Sequence, residues 1–335
     1  MTSTPSPRRI QLSHGGGGVE MNQLIQKLFF KYLGNDILLR DEDAARLEMT
    51  GPIAFTTDSF TVSPRTFAGG DLGKIAIAGT VNDLAMAGAR PQYLSCGFII
   101  EEGLTFSELE QLVKSMADEL AKSGAKIVCG DTKVVPKGAA DGVFINTSGV
   151  GECLAAPNWK SLEAGDLILV SRDIGRHGAC ILANREGMSL EGNLSSDCAT
   201  LWPDVERLLN AGIEVKAMRD ATRGGLAAVL NEWANGRQLG IDVTQEQVPI
   251  TDEVQGLCEL FGFEPMELAN EGTFVLAVPK EQGDAALEIL RLSQPTAAII
   301  GTVVEQHLGK VVLTSPWGSQ RYLELPKGEL LPRIC

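Results

Sequence analysis

The last residue of the chain is a cysteine, and its place at the end of an irregular segment indicates a carrier function. Residues 326–335 contain two prolines and no helical or strand periodicity, so we expect an extended, movable arm that ends in Cys335. At about 3.3–3.6 Å per residue, such an arm reaches ~30 Å. It could carry a thiol between a pocket on this protein and a pocket on a partner. The alternative is a terminal cysteine present by chance, which leaves Pro332 to Ile334 unexplained.

A run of four glycines, Gly15 to Gly18, follows His14 near the start of the chain. Consecutive glycines let backbone N–H groups approach and surround an anion. The Walker A pattern of a P-loop is absent from the sequence, so the run has two interpretations. It is either a flexible cover for phosphates or an N-terminal linker.

Aspartates next to small or hydroxyl-bearing residues form a further signal. Any one of them could be an ordinary N-cap or turn residue. Carboxylate oxygens are also the ligands that Mg²⁺ prefers, so the set together favours a nucleotide bound with Mg²⁺. Lys74 and Lys133 could supply the positive charge that phosphoryl transfer requires. The aspartates are Asp43, Asp58, Asp83, Asp131 and Asp220.

Glu271 stands in Asn270-Glu271-Gly272, directly before an apolar stretch at residues 273–278. An acid at the entrance of a strand could act as a base, and a surface turn glutamate is the equally weighted alternative. His177 and His307 belong to no chemical pattern, so we interpret both as structural or exposed.

The composition limits the class of protein. The 335 residues include 29 Lys+Arg and 43 Asp+Glu, and the resulting net charge of −14 argues against a broad nucleic-acid-binding surface. No apolar run approaches the roughly 20 residues that cross a bilayer. Seven scattered cysteines without CxxC spacing argue against a disulfide framework or a zinc site. We therefore expect a cytoplasmic protein without a membrane or nucleic-acid partner.

Alternating strands and helices must position these side chains, which predicts an α/β (α+β) fold. Thr105 and Glu108 form a capping-box pattern before an amphipathic helix that should end at Gly124. A stretch at 151–165 with little periodicity is a plausible linker, after which the alternation resumes. We expect domains at 1–155 and 156–315 and a mobile tail at 316–335. Predicted strands lie at 53–57, 93–100, 126–129, 143–148, 166–171, 273–279, 296–304 and 310–314, and predicted helices at 72–88, 177–187, 200–211, 224–235 and 281–292.

Short segments spread over essentially the whole chain resemble the aminoimidazole ribonucleotide synthetase superfamily, which has the PurM-like fold. That superfamily uses ATP to phosphorylate an amide-type oxygen or another small nucleophile. Within it, the ending Pro332-Arg333-Ile334-Cys335 is similar to the signature tail of the HypE family of hydrogenase maturation factors, the carbamoyl dehydratases. The other matching segments are 14–18, 43–45, 56–58, 82–83, 130–133, 220–225 and 270–272.

The resemblance implies a homodimer of two-domain subunits, whose N-terminal domains pair into a shared β-barrel with ATP bound near the interface. The C-terminal domain would be α/β and would carry the flexible tail. The implied metal-binding acids are Asp43, Asp58, Asp83 and Asp220. The implied nucleotide contacts are Gly15, Gly16, Gly17, Lys74, Asn82, Asp131, Thr132 and Thr222.

In that family the terminal cysteine receives a carbamoyl group from the partner HypF, and ATP-dependent dehydration turns the thiocarbamate into a thiocyanate. The cyanide then passes to iron on the HypC–HypD complex for the [NiFe] hydrogenase centre. Our hypothesis is that the carbamoyl oxygen on Cys335 attacks the γ-phosphate, while Lys133 stabilises the transferring charge. Glu271, or as second choice His14, would remove the amide protons.

Two alternatives come from different classes of protein. A selenophosphate synthetase would carry its reactive residue near the N-terminal glycines, whereas the first cysteine here is Cys96. A non-catalytic carrier would bind nucleotide and merely present Cys335 to other maturation factors. The presence of the acids together with Lys133 and Glu271 favours an enzyme.

Overall fold

The computed structural model describes residues 7–42, 44–188, 194–326, 328 and 331–335. Alternation of apolar and polar residues produces the strands of the N-terminal part, and runs of small or amphipathic residues produce its helices. A π-helical stretch at Ile25–Phe29 joins the first two helices. The elements are α1 Val19–Leu24, α2 Phe30–Leu33, β1 Ile53–Phe60, β2 Thr66–Phe67, β3 Gly70–Asp71, α3 Leu72–Met86, β4 Ala89–Glu101, α4 Phe106–Ser123, β5 Lys126–Val135 and β6 Val143–Cys153.

The N-terminal strands form a sheet in the order β1-β6-β4-β5, in which β4 and β5 run parallel and the other neighbours antiparallel. Helices α3 and α4 cover one face of this sheet. Small residues allow α3 to approach closely, since a Cβ at Gly79 would lie 2.7 Å from the Phe60 ring. The opposite face of the sheet carries the exposed side chains of Ile53, Phe55 and Ile99.

Helix α4 begins and ends where its sequence predicts. The Thr105 hydroxyl accepts a hydrogen bond from the Glu108 N–H at 3.2 Å, and Gly124 ends the helix with φ 72°. Between these caps, an apolar stripe that includes Leu112 and Met116 is buried, and α4 packs against α3. The pattern of caps and stripe is therefore confirmed.

The elements of the C-terminal part are β7 Leu167–Val170, α5 Arg176–Arg185, α6 Trp202–Asn210, β8 Ala217–Asp220, α7 Gly225–Arg237, β9 Gly240–Thr244, α8 Asp252–Phe261, β10 Phe274–Val278, α9 Gly283–Arg291, β11 Ala298–Val304, β12 Val311–Thr314 and β13 Gln320–Tyr322. Its strands form a second sheet in the order β13-β12-β9-β11-β7-β10-β8, antiparallel except for the β9–β12 pair. Strand β10 is buried along its whole length, as expected for the continuous apolar run from Phe274 to Val278.

The predicted α/β fold is confirmed, and several boundaries differ from expectation. Strands β1, β5 and β6 continue to Phe60, Val135 and Cys153, beyond the predicted ends at 57, 129 and 148. Strand β4 begins at Ala89 rather than residue 93, because 89–91 pair with 151–153 although Arg90 and Pro91 break the apolar pattern. The segment expected to be a mobile tail from residue 316 contains β13, which pairs with β12. A turn closed by Ser315 N–H on the Ser319 carbonyl at 2.9 Å makes this hairpin.

Within the described ranges, no helix is long and apolar enough to cross a membrane.

Candidate active site

The end of the tail lies against the segment that follows edge strand β1. The Thr61 N–H donates to the Cys335 carbonyl at 3.0 Å, and the Ser63 N–H donates to the Arg333 carbonyl at 3.2 Å. This pairing runs antiparallel, as when an extended peptide adds to a sheet edge. The Ile334 side chain is buried in the core, with 4% of its surface exposed. The predicted carrier arm is thus docked onto its own subunit.

The Cys335 sulfur lies in a charged and poorly hydrated environment. Arg223 Nε donates a hydrogen bond to Sγ at 3.3 Å. Burial and the nearby Glu271 carboxylate raise the pKa of the Cys335 thiol to about 11, although Arg223 acts in the opposite direction. The docked sulfur is therefore a neutral thiol at physiological pH, which fits a carried group better than an activated nucleophile.

Strand pairing brings Arg223 and Glu271 to the same end of the second sheet. Strand β8 ends at Asp220, which pairs with Phe274 at the start of β10. The antiparallel register therefore puts the loop after β8 beside the loop before β10. Two backbone bonds tie these loops together, from Ala221 N to Thr273 O and from Asn270 N to Ala221 O, both 3.0 Å.

Glu271 is held in place through its backbone while part of its carboxylate lacks a partner. The Asp197 carboxylate accepts hydrogen bonds from the N–H groups of Glu271 and Gly272, both at 3.0 Å. Glu271 is 3% exposed, and its Oε1 finds no hydrogen-bond partner within the described part of the chain. Burial, followed by repulsion from Asp220, raises the pKa of Glu271 well above its usual range. A desolvated, unpaired carboxylate near a sulfur can accept a proton.

Three of the predicted metal-binding acids influence one another's ionisation. The Thr56 hydroxyl, on β1, donates to Asp83 of α3 at 2.7 Å. Loss of hydration and then repulsion from Asp58 raise the pKa of Asp83. Loss of hydration and then repulsion from Asp83 raise the pKa of Asp220 to about 7. The acids thus share one region, in which a cation would relieve their repulsion.

The donor set suits Mg²⁺ bound together with phosphates. In the described ranges, no group of three or more His, Cys, Asp or Glu residues is arranged to hold a metal ion by itself. Mg²⁺ is commonly bound by one or two carboxylates, with water and substrate phosphates completing its shell. Asp43, the fourth predicted acid, lies outside the described residues.

Lys133 and Asp131 lie on the other face of the N-terminal sheet from these acids. Asp58 is paired with Thr147, which contacts α3 through its hydroxyl bond to Ala76. Side chains alternate along β5, where Thr132 is buried toward the helices and its two neighbours point away. Lys133 Nζ pairs with Asp131 Oδ2 at 2.8 Å. Within one chain, Lys133 is therefore separated from the acids by the sheet.

His14 is buried away from the Cys335 sulfur. Its ring packs edge-on against Phe106 at 5.1 Å, and its Nδ1 accepts from the Gln11 N–H at 3.0 Å. The adjacent Gly15 lies against β5, where a Cβ would stand 2.6 Å from Val134 N. These contacts fix the His14 ring within the N-terminal segment, and its role as second choice of base stays a prediction. Gly16 and Gly17 are more exposed.

Two other predicted nucleotide contacts, Asn82 and Lys74, have side-chain partners within the protein. The Asn82 amide donates to the Ala199 carbonyl at 3.0 Å and accepts from Leu201 N–H at 2.8 Å. Lys74 Nζ donates to the Gly69 carbonyl at 2.8 Å. Thr222 lies in the loop between β8 and α7. Asn82 therefore joins the two parts of the chain, and its role as a nucleotide contact stays a prediction.

An apolar cavity of about 170 Å³ lies between the N-terminal helices and β4–β5. Its lining includes Phe29, Phe98 and Ile127, with Asp131 and Thr132 at its polar side. A mostly apolar pocket with a few polar groups is typical of a small-molecule or cofactor site. Two predicted nucleotide contacts thus border a pocket that could take the base.

Sequence reasoning missed several residues that hold the site together. Arg223 lies in the matching segment 220–225, but no neighbouring residue indicates that its side chain contacts the Cys335 sulfur. Asp197 and Arg185 act through main-chain groups more than 70 residues away in the sequence. His177 was interpreted as structural or exposed, and it is fully buried with its Nε2 at 2.8 Å from the Ile334 carbonyl. Such long-range contacts leave no periodic signal.

Comparisons with known proteins show which family the chain belongs to. The model of the N-terminal domain of AIR synthase related protein matches residues 41–153, and the model of its C-terminal domain matches 163–314. Carbamoyl dehydratase HypE of Escherichia coli (strain K12) is 46% identical, with 97% of this chain and 99% of that protein covered.

Two solved structures extend the similarity to three dimensions. A crystal structure of hydrogenase maturation protein HypE in complex with ATP has a TM-score of 0.93 and 44% identity, covering 97% of this chain and 99% of that one. A HypE–HypF complex has a TM-score of 0.80 and 41% identity, covering 90% and 99%. The family expected from the seven segments and the terminal motif is confirmed: the chain belongs to the HypE carbamoyl dehydratase family of AIR synthase related proteins.

Proposed function

We propose that this protein uses ATP to dehydrate an S-carbamoyl group on its own Cys335, which yields a thiocyanate for the cyanide ligands of [NiFe] hydrogenase. The observation that carries the proposal is the docked tail, which delivers the sulfur to Arg223 and to the region of Glu271, whose Oε1 has no hydrogen-bond partner among the described residues. The named function of the relatives supports the same reaction. Phosphate release that requires a carbamoyl group on Cys335 is the observable that tests it.

The reaction removes the oxygen and both amide hydrogens of the S–CO–NH₂ group. The carbamoyl oxygen attacks the γ-phosphorus of the substrate ATP, and the bond to ADP breaks. One N–H proton leaves to Glu271 and the other to solvent, the C–O bond breaks with departure of phosphate, and S–C≡N remains. An amide oxygen is a poor leaving group, so phosphorylation supplies the driving force.

The chain's own residues would orient and deprotonate the carbamoyl group. Arg223 is placed to hold the sulfur end, and a buried carboxylate with a raised pKa is a strong base once ionised. Bound Mg²⁺ would screen the phosphate charge, and Asp58, Asp83 and Asp220 are the described residues that would hold it. A non-catalytic carrier would need no buried acid whose charge acts on its sulfur, as Glu271 acts on Cys335.

We assign Lys133 and Asp131 to the site of the partner subunit in a homodimer. Both side chains project from the sheet face opposite to the acids, and the same face exposes Phe55 (68%) and Ile53 (55%). An exposed apolar sheet face favours cover by another surface. A second copy that pairs sheets into a shared barrel would cover it and would carry Lys133 towards the neighbouring phosphates.

Mixing two inactive variants tests the position of Lys133. Lys133→Ala and Cys335→Ala homodimers should each dehydrate poorly, because each lacks one required group in every site. If Lys133 acts across the interface, mixed dimers regain activity, since the Cys335 of one subunit then meets the Lys133 of the other. Single-turnover dehydration after subunit exchange measures this. Mixed dimers as inactive as the two parents would contradict the assignment.

The nucleotide pocket and the partner proteins follow from the same proposal. The cavity bordered by Asp131 and Thr132 would take the adenine, with Gly15, Gly16 and Gly17 closing over the phosphates. HypF would supply the carbamoyl group, and a HypC–HypD complex would receive the cyanide. We keep the domain division at 1–155 and 156–315, and we place the protein in the reducing cytoplasm because its chemistry needs a free terminal thiol.

A further inference from the structure

Helix α5 contacts the tail through the two ends of one helical face. His177 stands in its first turn and Arg185 is its last residue. Among the described residues, neither side chain forms a hydrogen bond to the Cys335 sulfur. Both instead bond to main-chain carbonyls of residues 332–334. Helix α5 therefore holds the main chain of the tail and not the tail's side chains.

Arg185 bridges the tail and the segment after β1. Its Nε donates to the Ser63 carbonyl at 2.7 Å. Its Nη2 donates to the carbonyls of Pro332 at 2.7 Å and Arg333 at 2.8 Å. Hydrogen bonds from a charged donor are stronger than neutral ones. One guanidinium thus holds both strands of the short antiparallel pairing.

His177 fixes the carbonyl next to the carrier residue. A carbonyl can only accept, so Nε2 carries the proton that is donated to Ile334 O at 2.8 Å. Burial lowers the pKa of His177, so the ring is neutral and Nδ1 accepts from the Ser196 hydroxyl at 2.8 Å. The Ser196 oxygen in turn accepts a hydrogen bond from the Cys198 N–H at 3.0 Å. This bond fixes the Ser196 hydroxyl and, through it, the orientation of the His177 ring.

We propose that His177 and Arg185 form a latch, a pair of positioning residues that sets how much of the time Cys335 is docked and how much it is presented to partners. The inference deepens the proposed function and rests on it in one respect: the docked position is taken as the position for dehydration. A latch that grips carbonyls is insensitive to the group carried on the sulfur. It can therefore hold the thiol, the thiocarbamate and the thiocyanate alike.

The test measures exposure of Cys335 in the unmodified full-length protein, without ATP or any partner. Iodoacetamide is added, and the mass of the C-terminal peptide is followed with time. Arg185→Met should speed alkylation of Cys335 at least about tenfold, which corresponds to a loss of ~1.4 kcal/mol of docking free energy. Arg185→Lys keeps the positive charge but loses the planar set of N–H donors, so it should give an intermediate rate of Cys335 alkylation.

Two controls separate a latch from general damage. Arg237 is the last residue of α7 and donates to the Leu162 carbonyl at 2.9 Å, so Arg237→Met removes a comparable contact far from the tail and should leave the rate unchanged. Cys258 is buried on α8, which packs against α5, and its alkylation should stay slow. An unchanged Cys335 rate in Arg185→Met, or equal acceleration at Cys258, overturns the proposal.

A second readout connects the latch to the reaction. On protein already carbamoylated, Arg185→Met should slow single-turnover dehydration by the factor by which the docked fraction falls, and the two alkylation rates of Cys335 set that factor. Carbamoyl transfer from the partner should be at least as fast as in the wild type, and a parallel fall of both rates contradicts the latch. If the wild-type protein itself fails to dehydrate, the proposed function is wrong, whereas the alkylation result still decides the latch.

Discussion

A Cys335→Ala variant should release no phosphate from ATP above the background rate in the presence of a carbamoyl-transfer partner and carbamoyl phosphate. Without the sulfur nothing carries the carbamoyl group, and therefore no carbamoyl oxygen is present to receive the γ-phosphoryl group. The tail should still dock, since Thr61, Ser63 and Arg185 hold its main chain. Phosphate release by single-turnover assay measures the effect.

Cys153→Ala is the matched control, because Cys153 is a half-buried cysteine at the end of β6. It should behave as the wild type. Carbamoyl-dependent phosphate release that survives in Cys335→Ala would show that another group is the substrate, and the carrier role of the tail would then be wrong.

Glu271→Gln should accept the carbamoyl group and then dehydrate it about 10²–10⁴-fold more slowly, which is the usual contribution of a positioned general base. Glutamine keeps the size of the side chain and the backbone bonds to Asp197, but it cannot take the proton. The measurement is single-turnover formation of thiocyanate from carbamoylated protein. Glu281→Gln, an exposed acid before α9, is the control and should have no effect.

The same variant should alter the pH dependence of stability in metal-free buffer. The pKa of Glu271 is raised in the folded protein, so ionisation destabilises the fold as the pH rises above the unfolded value of about 4.3. Glu271→Gln removes that cost, and its Tm should exceed the wild-type Tm at pH 8 and approach it at pH 4. A Tm difference independent of pH, together with normal dehydration, would remove Glu271 from the mechanism.

Local patterns predicted most of the scaffold because the forces that form it are local. The Thr105 cap, the apolar stripe of α4 and the stop at Gly124 are all determined within 20 residues. The buried run of β10 similarly follows from its own side chains. Strand β13 was missed because the polar triplet 320–322 becomes a strand only by pairing with β12.

The candidate site was only partly predictable. Cys335 and Glu271 stood out by position and by resemblance, and the structure relates them electrostatically. Lys133 was assigned to the same site, but alternation along β5 turns it to the other sheet face. The position of Lys133 relative to the acids depends on the pairing register of β5, β4, β6 and β1, and no single segment of the sequence determines that register.

The supporting contacts could not be read from sequence at all. Asp197 binds the backbone of 271–272, and Arg185 binds carbonyls at 332 and 333, so neither needs a particular side chain at the far end. Main-chain recognition leaves no pattern of complementary residues. Only the folded chain brings these groups together.

The most direct test of the account is the mass of the C-terminal peptide from carbamoylated wild-type protein, with and without MgATP. We expect loss of one water from the carbamoyl adduct on Cys335 only when MgATP is present, together with one phosphate released per peptide converted. A carbamoyl group that persists although ATP is bound would contradict the dehydratase function and would leave a carrier that presents Cys335 to its partners.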